Sequence, residues 1–312
     1  MTSNLIYTQR RATLAAQLGP RGIAIIPTEH AARLRLPPRL GYACMVKLLP
    51  VVGMALLFAA VPGFAAQASV FLEDLSSVEL AAAIREGHTI IIIPAGGVEQ
   101  NGPHMALGKH NLRVKVLAGR IAQQLGNALV APVVAYVPEG NVTPPTEHMR
   151  FAGTISVPEP VFKGIVDGAA RSFKQHGFRD IVLLGDHGGY QNALKAVAAS
   201  LNRDWAKSGA RAHFVGEYYR VTQTSYIDAL KSKGLTDAQI GIHAAAADTS
   251  LMMAIDPSMV KPELFAQAAR EGRAGGTNGD PRPSSAALGQ LGVDAVIQQT
   301  VAAIRGAVAA PR

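Results

Sequence analysis

Four consecutive isoleucines, Ile90 to Ile93, follow His88 and Thr89 and are closed by Pro94. A β-branched run this short, with no polar position in it, suits a strand buried on both faces, because alternate residues of a strand point to opposite sides. A strand with one wet face would alternate with polar residues, and a buried helix would run longer. Strands of this kind belong to parallel sheets, whose crossovers lay helices over both faces. The following sequence supplies the crossovers. LRVKVLAGRIAQQLG (112–126) sets Leu112, Val116, Leu117, Ile121 and Leu125 along one helical stripe, and ALVAPVVAYV (128–137) reads as a strand. VFKGIVDGAARSFKQHG (161–177) reads as a helix closed by Gly177, RDIVLLG (179–185) as a strand, YQNALKAVAASLNRDWAKSG (190–209) as a helix and RAHFVGEYY (211–219) as a strand. This order predicts an α/β fold with a mostly parallel sheet covered on both faces.

Ligands of such sheets bind beyond the carboxyl ends of the strands. Three loops are therefore expected on one rim: Glu99, Asn101, His104 and His110 after the isoleucine strand, Glu147 and His148 after Val137, Asp186 and His187 after Leu184. With His243, five of the nine histidines would gather there. A carboxylate and imidazoles arriving from separate loops are the raw material of a catalytic metal site, and Glu99, His110 and His187 fit that description. Taken singly, each histidine reads more readily as an isolated loop residue, and the convergence at strand ends is what shifts the balance toward a site. GDHGG (185–189) sits between strand and helix but lacks the spacing and the lysine of a phosphate loop, so Gly188 and Gly189 are read as a tight turn that admits a substrate. DTSLMMAIDP (248–257) opens like a capped helix. His243, beside a run of alanines, needs a partner or a task, a hydrogen-bonded core histidine being the alternative. REGRAGGTNGDPRPSS (270–285) reads as a loop over the site. Neither a G-x-S-x-G elbow nor HExxH occurs, which leaves metal-activated water as the hydrolytic chemistry.

The formal charge of +8 raises nucleic acid as a partner, but its distribution removes that reading. Six arginines and Lys47 against Glu29 place six of the eight net charges in residues 1–68. From Met45 the chain reads MVKLLPVVGMALLFAAVPGFAAQAS: a cation, an uncharged apolar stretch and an A-x-A site before Ser69. This is the layout of a signal peptide over 45–68, and it predicts a periplasmic or secreted domain at 69–312. A retained anchor is the alternative, and the membrane enters only through that segment. Cys44 lies ahead of it, so the domain has no thiol. Residues 1–44 loosely resemble the opening of the amino-terminal domain of Xaa-Pro aminopeptidases and break off too early to form it. They are read as a misplaced start or a fused fragment without function.

Four motifs in order carry a further resemblance. PAGGVEQNGPHMALGKH (94–110), EHMRFAGTIS (147–156), GDHGGYQN (185–192) and HAAAADTS (243–250) resemble the motifs of the creatininase (creatinine amidohydrolase) family, and the likeness covers about 90–290. The resemblance implies a three-layer α/β/α sandwich, homo-oligomers up to hexamers, and hydrolysis of C–N bonds of small amides at a divalent-metal site. In members acting on creatinine two ions are held by five positions. Here Glu99 and His187 retain two of them, while Asn101, His110 and Gly189 replace a ligand, the bridging Asp and a carboxylate. A neutral imidazole has one lone pair and cannot bridge two cations. The expectation is therefore one ion, zinc with manganese as the alternative, on Glu99, His110 and His187. By the same resemblance His243, oriented by Asp248, is the acid/base, Glu147 supports catalysis, and His104, His148, Gly188 and Gly189 contact a small cyclic amide or formamide. The rival expectation is a binding or scaffolding member that has lost catalysis.

Overall fold

The computed structural model describes residues 69–311. The extension at 1–44 and the segment at 45–68 lie outside them. The described chain runs α1 (Ser77–Arg85), β1 (Ile90–Ala95), α2 (Lys109–Leu125), β2 (Ala128–Val130), α3 (Glu159–His176), β3 (Asp180–Gly185), α4 (Gln191–Asp204) and β4 (Arg211–Phe214). Six helices follow: α5 (Glu217–Gln223), α6 (Ser225–Ser232), α7 (Asp237–Ile240), α8 (Ala246–Ile255), α9 (Phe265–Glu271) and α10 (Ala286–Ala309). Among the described residues no helix is long and apolar enough to cross a membrane.

The strands form one parallel sheet in the order β2-β1-β3-β4, with Ile90 opposite both Ala128 and Asp180, and Ala95 opposite Gly185. The isoleucine run divides by parity. Ile90 and Ile92 pack with Val114, Leu117 and Ile121 of α2 and with residues of α5, α6 and α10. Ile91 and Ile93 pack with Phe162 and Val166 of α3 and with Leu194, Val197 and Leu201 of α4. Helices on both faces of the sheet make the expected α/β/α sandwich. Since β2 lies on one side of β1 and β3 on the other, the loops leaving β1 and β3 diverge. A crevice opens between them at the carboxyl end of the sheet.

Two expected strands are shorter in the structure. After Val130 the ladder loses a donor at Pro132, which has no N–H, and the chain touches the sheet again only through the bridge of Val134 to Ala95. The segment 211–219 leaves the sheet at Phe214, and a helix starts after Gly216 that turns Tyr218 and Val221, three apart, into the core.

Candidate metal centre

The loop after β1 reaches the crevice through Gly96 and Gly97. Gly97 has a φ of 139°, and a Cβ there would stand 2.7 Å from Glu139 Oε1, so glycine lets this loop lie against Glu139. Asn101 staples the loop, its Nδ2 donating to the carbonyls of Glu99 at 2.9 Å and Ala106 at 3.1 Å. Glu99 is thereby fully buried. Its two oxygens have different surroundings.

Glu99 Oε1 faces the first turn of α2. His110 Nε2 lies 2.6 Å away and Lys109 Nζ 3.2 Å away. The other His110 nitrogen, Nδ1, is 2.5 Å from Asp186 Oδ1. Arg113 Nε donates to Asp186 Oδ1 at 2.8 Å and its Nη1 to Asp248 Oδ1 at 2.8 Å, while Lys109 Nζ also reaches Asp248 Oδ2 at 3.2 Å. Cations at a helix N-terminus oppose the helix dipole, and Lys109 and Arg113 are buried as well. The three carboxylates are what make them tenable. Burial alone would raise the Glu99, Asp186 and Asp248 carboxyls, but Lys109 and His110 (Glu99), Arg113 and His110 (Asp186), and Lys109 and Arg113 (Asp248) outweigh it and hold all three below the usual range.

Glu99 Oε2 faces the opposite way, into the crevice. One ligand-type atom from each of Glu99, Glu139, His148 and His187 lies within 4.8 Å of all the others. Oε2 is 3.3 Å from His148 Nε2 and 3.6 Å from His187 Nε2, and His187 Nδ1 is 3.4 Å from Glu139 Oε2. Glu99 Oε2 and both Glu139 carboxyl oxygens are buried and accept no hydrogen bond. Burial, reinforced by the Glu99 charge, pushes the Glu139 carboxyl up to about 9. Burial also lowers His148, and it takes His187 down to about 3, so both rings are neutral at pH 7 and keep a lone pair. Three orphaned carboxyl oxygens beside two neutral imidazoles fit a divalent cation, which would satisfy oxygens that are otherwise costly to bury.

The structure separates the expected site residues. Glu99 and His187 meet as expected, and His148 joins them. His110 instead stands behind Glu99. Both of its ring nitrogens are taken up by protein groups, Nε2 by Glu99 Oε1 and Nδ1 by Asp186 Oδ1 and by Arg113 Nη2 at 3.2 Å, and it lies outside the four-residue cluster. The cluster has Glu139 and His148 beside Glu99 and His187 where the sequence suggested His110. His104 is fully buried, its Nε2 3.0 Å from Thr249 Oγ1 and its ring edge-on to Phe265, and it does not line the crevice. Glu147 is exposed on the crevice rim. Gly189 N–H donates to His187 Nδ1 at 3.2 Å, and Gly188 faces the Tyr219 hydroxyl.

His243 reaches the site with its Nε2 3.0 Å from the Gln100 carbonyl, and its backbone is bridged to Asn278. Burial first, then the Lys109 charge, lowers it to about 4. Asp248 does not bond the His243 ring as expected. Its Oδ2 accepts from the Ala244 N–H at 3.1 Å, so it holds the neighbouring backbone. Gln100 Nε2 lies 3.1 Å from both His148 Nδ1 and His243 Nε2. The Gly-rich segment does lie over the site. Gly276, at φ 84°, approaches Gln100 so closely that a Cβ would overlap its Oε1. Glu139 and Gln100 were not singled out by the sequence; the position of Glu139 just past the end of the second strand region was their one available signal.

The creatininase family model, described as creatinine amidohydrolase, matches residues 73–304. The chain belongs to the creatininase family. It is 28% identical to creatinine amidohydrolase of Pseudomonas putida over 200 residues, 62% of this chain and 74% of that protein. It is 32% identical to the mycofactocin precursor peptide peptidase of Mycolicibacterium smegmatis over 125 residues, 38% of this chain and 48% of that protein. A solved structure described as "Creatininase Mn" superposes with a TM-score of 0.63 at 23% identity, covering 78% of this chain and all of the other. That likeness carries the creatininase fold.

Proposed function

We propose that this creatininase-family protein is an amidohydrolase that cleaves a C–N bond of a small cyclic amide or formamide with one divalent ion, zinc or manganese. Glu99, Glu139, His148 and His187 would hold it. The observation that carries the reading is the set of buried, unpartnered oxygens on Glu99 and Glu139 facing two neutral imidazoles. An ion bound there supplies a Lewis acid for the amide carbonyl and brings a water near a pKa of about 7.

The protein's own groups set the rest. Lys109 and His110 occupy Glu99 Oε1, which would leave Oε2 to hold an ion. His243, neutral and beside Glu99 Oε1 at 3.7 Å, is placed to carry a proton between water and the leaving nitrogen. Gln100 fixes the His243 and His148 rings, and the Gly276–Asn278 segment lines the same pocket beside them. The greater identity to peptide peptidases over 125 residues favours, as a second reading, a peptide C–N bond as the target. Export through residues 45–68 and homo-oligomeric assembly complete the proposal, on the sequence layout and the family likeness.

Metal analysis of the purified protein, with hydrolysis of a panel of creatinine, lactams, formamides and dipeptides before and after a chelator, tests this. One ion per chain and chelator-sensitive turnover are expected. Two tightly bound ions would refute the one-ion scheme, and a bound ion without turnover of any member would mark a binding protein.

A further inference from the structure

Above the four-residue cluster lies a pocket of about 410 Å³, the size of a small-molecule site. His148, His187, His243 and Gln100 line it, and so do two guanidiniums on separate segments. Arg150 comes from the short turn that follows Thr146, and Arg273 from the turn over Gly272–Gly275. Both are exposed, and among the described residues neither has a carboxylate within ion-pair range. Arg150 spends only its Nε, on the Glu147 carbonyl at 3.3 Å. Its terminal nitrogens have no hydrogen-bond partner among the described residues. Thr277, also in the pocket wall, is fully buried with a hydroxyl that has no partner. One carboxylate, the exposed Glu147, shares this lining with the two guanidiniums.

We propose that the substrate is an amide bearing a carboxylate, which Arg150 and Arg273 receive at the pocket mouth while the scissile bond lies over Glu99. This rests on the amidohydrolase reading and names its substrate class. The chemistry follows from the groups. The four-residue cluster at the floor is built to hold a cation, whereas the mouth offers planar, permanently charged forks whose geometry matches a carboxylate. A neutral lactam or formamide uses neither guanidinium. A substrate with a carboxylate at one end and an amide at the other spans both, and charge at the mouth steers it in with the amide toward the floor.

Calorimetric titration of the metal-containing protein with 5-oxoproline and with its carboxamide tests the inference without requiring turnover. The acid is expected to bind about tenfold tighter than the amide, in line with charge-assisted hydrogen bonds. The preference is expected to vanish in the Arg150→Gln/Arg273→Gln variant, whose fold is checked by an unchanged Tm, both residues being exposed. Inorganic phosphate serves as a third probe, and binding of phosphate in place of the acid would overturn the carboxylate assignment. Equal binding of acid and amide, binding of neither, or a preference that survives the double substitution would overturn it too, the last showing that the metal reads the carboxylate. Failure of the amidohydrolase reading shows separately, as absent turnover across the panel.

Discussion

Glu139→Gln isolates the carboxylate on which the metal proposal stands. In the metal-free protein its carboxyl is pushed from 4.5 up to about 9, by burial and by Glu99. The folded state then keeps a proton that the unfolded chain releases between those values, so stability falls as pH rises through the window and levels off above it. At about 1.4 kcal/mol per unit, the cost at pH 7 is roughly 3 kcal/mol, rising to about 6 kcal/mol above pH 9. Glutamine has the same shape and no such cost. In the presence of a chelator Glu139→Gln is expected to match the unsubstituted protein near pH 4 and to exceed it by about 3 kcal/mol at pH 7, or about 6–12 °C in Tm. Added zinc should narrow the difference. The unsubstituted protein gains about 2.7 kcal/mol at a hundredfold excess over Kd, and the variant gains less. Binding should also release about one proton per ion at pH 7, read by calorimetry in buffers of different ionisation enthalpy. A variant less stable than the parent at pH 7 without metal, or a difference that is the same at pH 4 and 7, refutes the electrostatic account. Equal stabilisation of both proteins by zinc refutes the ligand role.

Exchanging the two α2-facing and crevice-facing histidines should give opposite results: His110→Ala loses about 3–5 kcal/mol in denaturant titration but retains its ion, while His187→Ala loses the ion, as elemental analysis reads directly. His243→Gln should lower kcat/KM at least a hundredfold with metal content unchanged, and a loss of metal instead would make His243 a ligand. Intact-mass measurement of the exported protein is expected to give a chain that starts at Ser69, and recovery of a longer chain in the membrane fraction would contradict cleavage.

The sheet was legible because Ile90 to Ile93 leave no polar position for a wet face, and the helices because their apolar residues recur at helical spacing. Strand ends were less legible. Residues 128–137 are apolar almost throughout, and only the missing N–H of Pro132 tells where the ladder fails. Residues 211–219 are aromatic and β-branched, yet Gly216 and the three-residue spacing of Tyr218 and Val221 decide for a helix. At the site, Glu99, His148 and His187 were legible from their places on one rim. His110 was not, because its role depends on Asp186 and Glu99 approaching from other elements, a distance that no local pattern encodes. Glu139 lies in a short Pro-Glu-Gly stretch, and nothing distinguishes it until Gly97 is seen to make room for it.

The altered motif then has an electrostatic logic. Glu99, Asp186 and Asp248 are three buried or half-buried carboxylates that need positive charge close by. The start of α2 supplies it, as Lys109 and Arg113, with His110 between them against Glu99 and Asp186. Fixed positive charge from the protein would leave little call for a second ion beside those carboxylates, and Asn101 staples the loop. The replacements therefore form one correlated change. His110→Asp would restore the family residue and nothing else: it places a further carboxylate against Glu99 and Asp186 while Asn101 and Gly189 still supply no ligand. Like charges at that distance disfavour each other's ionisation, so the variant is expected to lose about 3–5 kcal/mol and to gain no ion. Elemental analysis that finds two ions per chain in His110→Asp would show that Lys109 and Arg113 leave room for the second, and that the fixed-cation account of this turn is wrong.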